Sequence, residues 1–200
     1  MRDVLAPHLS AHGWFVSYSI VKTKRPAGAP AHKGGVTSWN QLKREIKLLL
    51  GNSSLDVLTT LFDYYAFPPE APGMDSRPNG SATERVEHVE RAIAAHFEDQ
   101  RLLPHLVLHE IEAWVFAASA QLGLLFGEEI AAKLVADVAA TGGPEEVNDH
   151  PDTAPSKRLA HYCAGYVKTQ DGPIAIAELG VGRLRSQCPH LDSWLRRLEN

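Results

Sequence analysis

Apolar residues recur along this chain with two periods, and together they predict alternating helices and strands. Val4, Leu5, His8 and Leu9 share one helical face, so a short helix opens the chain, with Gly13 as its stop. Trp14 to Val21 (WFVSYSIV) is aromatic and β-branched and predicts a strand. Residues 22–36 form a basic loop rich in Pro and Gly. Ser38 is placed to cap a helix running to about Leu50, with Leu42, Ile46 and Leu49 inward. Val57 to Phe62 (VLTTLF) predicts a second strand, followed by a long loop, DYYAFPPEAPGMDSRPNG. Loops of that length are usually functional or disordered.

The stripe Val86, Val89, Ile93 and Phe97 predicts a helix over 82–98, and Leu106 to Leu108 a third, short strand. A helical pattern (HEIEAWVFAASA) follows at once, then helices near 127–139 and 156–167. Leu191, Trp194, Leu195 and Leu198 form the last apolar stripe. Strands alternating with helices predict a mostly parallel sheet flanked by helices. One α/β domain over 1–200 is expected, its C-terminal part (about 121–200) helical. Such folds usually begin on a strand, whereas this pattern begins on a helix. A parallel sheet lacking a central strand leaves its neighbours unpaired.

Composition narrows the class. With 44% hydrophobic and 22% charged residues the chain is globular. A net charge of −4 carries no basic excess that would advertise nucleic acid. Cys163 and Cys188 are too few for a disulfide framework and are expected to be reduced thiols. No apolar run approaches a membrane span, and the first residues lack a signal peptide's apolar core, so a cytoplasmic protein is expected.

The acids sit where α/β folds place ligands. Asp63 follows VLTTLF directly, and His109 and Glu110 follow HLVL directly. Ligands of open α/β sheets bind beyond the carboxyl ends of the strands. Carboxylates gathered there suit Mg²⁺ or Mn²⁺. The bland alternatives are a turn cap for Asp63 and a helix N-terminus for Glu110. Glu110 and Glu112, two residues apart, point roughly 200° apart on a helix, so one faces the rim and the other bonds elsewhere. Trp114 and Phe116 read as core. A second cluster, Asn148 to Arg158, holds Asp149, Asp152, Lys157 and Arg158. Pro155 suits a first helical turn, where the macrodipole disfavours Lys157 and Arg158 unless a phosphate or carboxylate is near. Plain solvation of both is the competing reading. Tyr166 and Lys168 are weaker candidates.

Ten histidines invite a zinc reading, but His105 and His109, four apart on a strand, lie roughly 13 Å apart. Nucleotide-loop and serine-hydrolase motifs do not occur. Lys22, Lys24, Arg25, His32 and Lys33 make a modest basic strip that suits either a phosphate backbone or solvent.

The runs FDYYAFP, LHEIEAW, NDHPDTAPSKR and DGPIAIAELGVGRLRSQCPHLDSWLRRLE, in that order, resemble the bacterial family filed as domain of unknown function 4276. The resemblance implies a three-layer Toprim-like (Rossmann-like) fold, the metal-dependent catalytic domain of topoisomerases, primases and overcoming-lysogenisation-defect nucleases. It also implies an ABC- or SMC-type ATPase partner, nucleic acid as substrate, and a role in phage or mobile-element defence. Asp63 matches the first aspartate of the Toprim Asp-x-Asp, but Tyr65 stands at the second. Glu110 or Glu112 would supply the further acid and Lys157 the cation for phosphoryl transfer, with Asp152 orienting Lys157. The first-strand glutamate of the pattern has no counterpart, which agrees with the helical start. An internal start at Met1, with the strand encoded upstream, is the expectation. The resemblance thus supports a Mg²⁺- or Mn²⁺-dependent nuclease or phosphodiesterase subunit. The missing acid supports a non-catalytic adaptor that binds an ATPase, and the long loop after Asp63 a small-molecule phosphohydrolase.

Overall fold

A computed structural model describes residues 2–21, 38–65, 67–147 and 154–200. In chain order its elements are α1 (Arg2–Ala11), α2 (Trp39–Leu50), β1 (Leu58–Thr59), β2 (Phe62–Asp63), α3 (Ala82–Phe97), β3 (Leu102–Leu103) and β4 (Leu106–Val107). There follow α4 (Glu112–Ala117), α5 (Ser119–Phe126), α6 (Glu128–Thr141), a 3-10 turn (Pro144–Glu146), α7 (Pro155–Tyr162), α8 (Asp171–Leu179), α9 (Val181–Gln187) and α10 (Pro189–Glu199). The fold is mixed α/β and mainly helical, with short parallel strand pairs. The chain gathers into two compact units, residues 19–107 and residues 1–18 with 108–200.

The 19–107 unit is a β–α–β arrangement. β1 pairs with β3 and β2 with β4, both parallel and at one constant offset. The two pairs are therefore one ladder with a gap. In that register the next bond would run from the His105 N–H to the Thr60 carbonyl, but that N–H turns to the Thr60 side chain instead, so the ladder breaks there. The buried Thr60 side chain fills the break. Its hydroxyl donates to the His105 carbonyl at 2.9 Å and accepts from the His105 N–H at 2.9 Å. The next N–H, that of Leu106, donates at 2.7 Å to Glu90 Oε1 on α3.

The crossover helix α3 starts where its residues dictate. Ser81 and Glu84 form a capping box, each accepting from the other's backbone N–H. Val86, Val89 and Ile93 form its buried stripe, as their spacing requires, while Phe97 is half-buried. On α2, Trp39, Leu42 and Ile46 are buried, but Leu49 is 37% exposed, against the expectation. At its end Arg101 donates to the carbonyls of Leu50 and Asn52 while paired with Asp99 at 2.7 Å.

In the second unit α4 is the hub. All six of its residues are buried, and it packs against α6, α7, α8, α9 and the 3-10 turn. Trp114 and Phe116 are core, as read from the sequence. Gly123 brings α5 against α6, because a Cβ there would stand 2.6 Å from that of Ala131. The α10 stripe Leu191, Trp194, Leu195 and Leu198 is buried. So are both thiols, Cys163 after α7 and Cys188 before α10.

The WFVSYSIV strand is not formed. Residues 14–21 carry no strand pairing, and Phe15 and Ile20 are 97% and 75% exposed. A β-prone composition expresses itself only where a neighbour strand supplies a surface. The expected strand 57–62 is likewise shorter, two residues on either side of the Thr60 gap. Among the described residues no helix is long and apolar enough to cross a membrane.

Candidate functional site

Asp63 is the last residue of β2 and pairs in register with Val107, which puts it at the carboxyl end of the ladder. It is half-buried. The chain then turns at once. Tyr64 N–H donates to Val107 O, Phe67 N–H to Tyr64 O, Ala71 N–H to Pro68 O and Met74 N–H to Ala71 O. The long loop is thus a series of tight turns.

Two anchors hold it. Arg77 donates to the hydroxyl of buried Tyr64 at 2.9 Å and to Met74 O at 2.7 Å. Glu70 accepts from Trp39 N–H at the start of α2, which holds its carboxyl below the ordinary range. Gly73 has φ +82, and a Cβ there would lie 2.8 Å from Ala92 Cβ on α3. Only glycine fits both conditions. Tyr65, where a second acid would complete the Asp-x-Asp pattern, is half-buried.

In the other unit His109 is buried with φ +61, a left-handed conformation that costs a non-glycine residue about 1 kcal/mol. The turn it makes delivers Glu110, whose Oε2 accepts from Ser156 N–H at 2.9 Å. Ser156 lies in the first turn of α7, so a carboxylate meets the positive end of that helix. Lys157 and Arg158 lie in the same first turn. Lys157 is exposed. Arg158 pairs with Asp137 on α6 at 2.9 Å.

Glu112 is completely buried, and Lys168 Nζ reaches both of its oxygens at 2.8 Å. Burial, and next the charge of Glu112, push the Tyr166 hydroxyl well above its ordinary range. Thus Glu110 is brought to the α7 turn and Glu112 to Lys168, so the two acids serve different partners. Asp149 and Asp152 lie outside the described residues, as do Lys22, Lys24, Arg25, His32 and Lys33.

Several structural roles escaped sequence reasoning. Thr60 carried no signal, since a lone Thr inside VLTTLF is ordinary strand composition. The Tyr64–Arg77 bond joins positions that no periodicity links. Glu145 is buried and accepts from the N–H groups of His190 and Leu191 at 2.9 and 3.1 Å, capping α10 from the 3-10 turn. Nothing in TGGPEEVNDHP separates it from its exposed neighbour Glu146.

No curated protein and no solved structure matches the chain. A family model described as a domain of unknown function (DUF4276) matches residues 1–199. A match over nearly the whole length settles kinship, and the chain belongs to the DUF4276 family.

Proposed function

We propose that this protein is a Toprim-like nuclease or phosphodiesterase subunit that uses Mg²⁺ or Mn²⁺ and works with an ABC- or SMC-type ATPase. The observation that carries the reading is the position of Asp63. It closes the carboxyl end of a parallel ladder, beside Val107. Parallel ladders with crossover helices place ligands at that end. The finer fold, a three-layer sheet of Toprim type, belongs to the same proposal.

Asp63 is the metal ligand on which this reading rests, and the family resemblance assigns the further acid to Glu110 or Glu112. Their oxygens suit a hard divalent cation. The bond from Ser156 N–H fixes one Glu110 oxygen and leaves Oε1 as the ligand atom, the kind of outer bond that orients ligating carboxylates. A bound metal would neutralise a phosphodiester and activate water. Lys157, exposed on the first turn of α7, stabilises the charge that develops on phosphate. Glu112, committed to Lys168, holds the start of α4 in place.

Thermal unfolding with and without millimolar Mg²⁺ or Mn²⁺ tests the reading. A ligand selective for the native state adds ~2.7 kcal/mol at a hundredfold excess over its dissociation constant. Asp63→Asn should abolish the gain, together with any metal-dependent cleavage of DNA or RNA. An equal gain in Asp63→Asn refutes the assignment.

A second reading, a non-catalytic adaptor docked on the ATPase, draws support from a specific observation. Glu110 and Glu112 both hold internal contacts, which would justify these acids without any metal. It predicts no stabilisation by metal and a stable complex with the ATPase.

A further inference from the structure

The two ends of the chain form a cluster that the proposed chemistry does not use. His8 lies in the last turn of α1, and His12 follows one turn on, just past the helix end. α10 contributes Glu199, its final residue. His8 Nε2 stands 2.7 Å from Glu199 Oε1, and His12 Nε2 stands 3.9 Å from the same oxygen. The two rings are 4.7 Å apart. Trp14 fixes the arrangement, its indole N–H donating to Leu198 O at 2.5 Å.

The tautomer of His12 is informative. Its Nδ1 lies 2.9 Å from the His8 carbonyl, an atom that can only accept, so Nδ1 carries the proton. A neutral ring then has a lone pair on Nε2, turned toward a carboxylate oxygen. Two electron-rich atoms then face each other, and either a proton on Nε2 or a metal ion between them makes the contact favourable. An Nδ1–H bonded to a backbone carbonyl, with Nε2 free, is also how metal-ligating histidines are oriented.

The field agrees. α1 and α10 both end here, and helix C-termini carry partial negative charge that favours cations. Arg185 is the competitor, with Nη1 2.5 Å from Glu199 Oε1. Its Nε is held at 2.6 Å by Asp192, which also pairs with Arg196, so the guanidinium keeps a partner if Oε1 is taken.

The lengths also suit a metal. Two ligands at ~2.1 Å in a tetrahedral shell lie about 3.4 Å from each other. The observed 2.7 and 3.9 Å fall on either side of that value, so displacements of about half an ångström close the shell. Two imidazoles and a carboxylate select Zn²⁺ and its neighbours over Mg²⁺.

We infer that His8, His12 and Glu199 form a three-ligand site for Zn²⁺ or a related divalent transition metal, with a fourth position open to water. The site ties α1 to α10 and is independent of Asp63.

The test uses the full chain without added histidines, stripped with a chelator and titrated with Co²⁺. One equivalent of the visible d–d absorption of tetrahedral Co²⁺ is expected, displaced by Zn²⁺. His12 is 39% exposed, so His12→Gln leaves the fold intact. Losing even an outer partner weakens metal sites 10–100-fold, so losing this ligand should weaken binding at least about tenfold. Glu199→Gln should do the same. His161→Gln, at an exposed histidine on α7, and Asp63→Asn should leave the titration unchanged. Absence of a saturable band, or equal affinity in His12→Gln, overturns the site. Loss of the band in Asp63→Asn overturns its independence.

Discussion

Replacing Thr60 by valine keeps the shape of the side chain and deletes only the hydroxyl that bridges the ladder gap. In the native fold that hydroxyl serves two buried backbone groups, the N–H and the carbonyl of His105, each at 2.9 Å. Valine leaves the His105 N–H without this partner and takes one donor from its carbonyl, which keeps Phe62 N–H through the pairing of β2 with β4. An orphaned buried N–H costs about 1–3 kcal/mol and the lost bond to the carbonyl about 1 more, so Thr60→Val should destabilise by about 2–4 kcal/mol. Thr60→Ser retains the hydroxyl and loses one methyl group, worth about 1 kcal/mol. Urea unfolding measures both. The midpoint should fall with the slope unchanged, far more for Val than for Ser. Hydrogen exchange at the His105 amide should rise in the Val variant alone. Stability of Thr60→Val within about 0.5 kcal/mol of the parent, or equal loss in both variants, would refute the bridging role.

At Gly73, alanine meets both the positive φ, costing about 1–2 kcal/mol, and a Cβ position 2.8 Å from Ala92 Cβ and 3.2 Å from Val89 Cα. Denaturant unfolding should show a loss of about 2–4 kcal/mol from strain plus overpacking, whereas Gly51→Ala, at an ordinary φ of −65°, should be nearly neutral. Burial pushes the Glu145 carboxyl up despite the opposing bonds from His190 and Leu191, so the folded state holds that proton more tightly than the unfolded chain. Its contribution to stability is therefore full below the ordinary 4.5 and lost as pH rises to the raised folded value. Glu145→Gln should gain stability relative to the parent across that window and run parallel to it above; a difference that is flat from pH 4 upward would sink the assignment.

What the sequence disclosed was what depends on local order. The start of α2 after Ser38, the stripes of α3 and α10, and the strand end at Asp63 are written in neighbouring positions, and the fold reproduces them, though the Ser38 side chain makes no capping bond. What stayed hidden depends on pairing across long separations. Thr60 looks like ordinary strand composition until its pairing is known, and then its bond with the His105 N–H explains why the strand 57–62 is interrupted. The WFVSYSIV segment has every intrinsic mark of a strand, yet residues 14–21 find no partner strand among the described residues. Glu112 and Glu145 were hidden for a different reason. Acidic residues are rarely fully buried unless paired, and their partners, Lys168 and the first N–H groups of α10, lie dozens of residues away. The candidate site was legible as a strand-end acid plus an acid at a turn. That the second acid also caps α7 was not.

The two buried thiols give one unit an internal clock. Burial pushes both Cys163 and Cys188 up, and the charge of Asp171 adds to the first and that of Glu145 to the second. Since only an accessible thiolate attacks, neither sulfur reacts while its helices stay packed. Residues 19–107 contain no cysteine at all. A thiol reagent therefore reads the opening of residues 108–200 alone. When opening is fast relative to labelling, the labelling rate relative to a free thiol gives the free energy of that opening. The same chemistry leaves the packed unit indifferent to oxidants and makes the first oxidised sulfur a mark of a molecule that has already come apart.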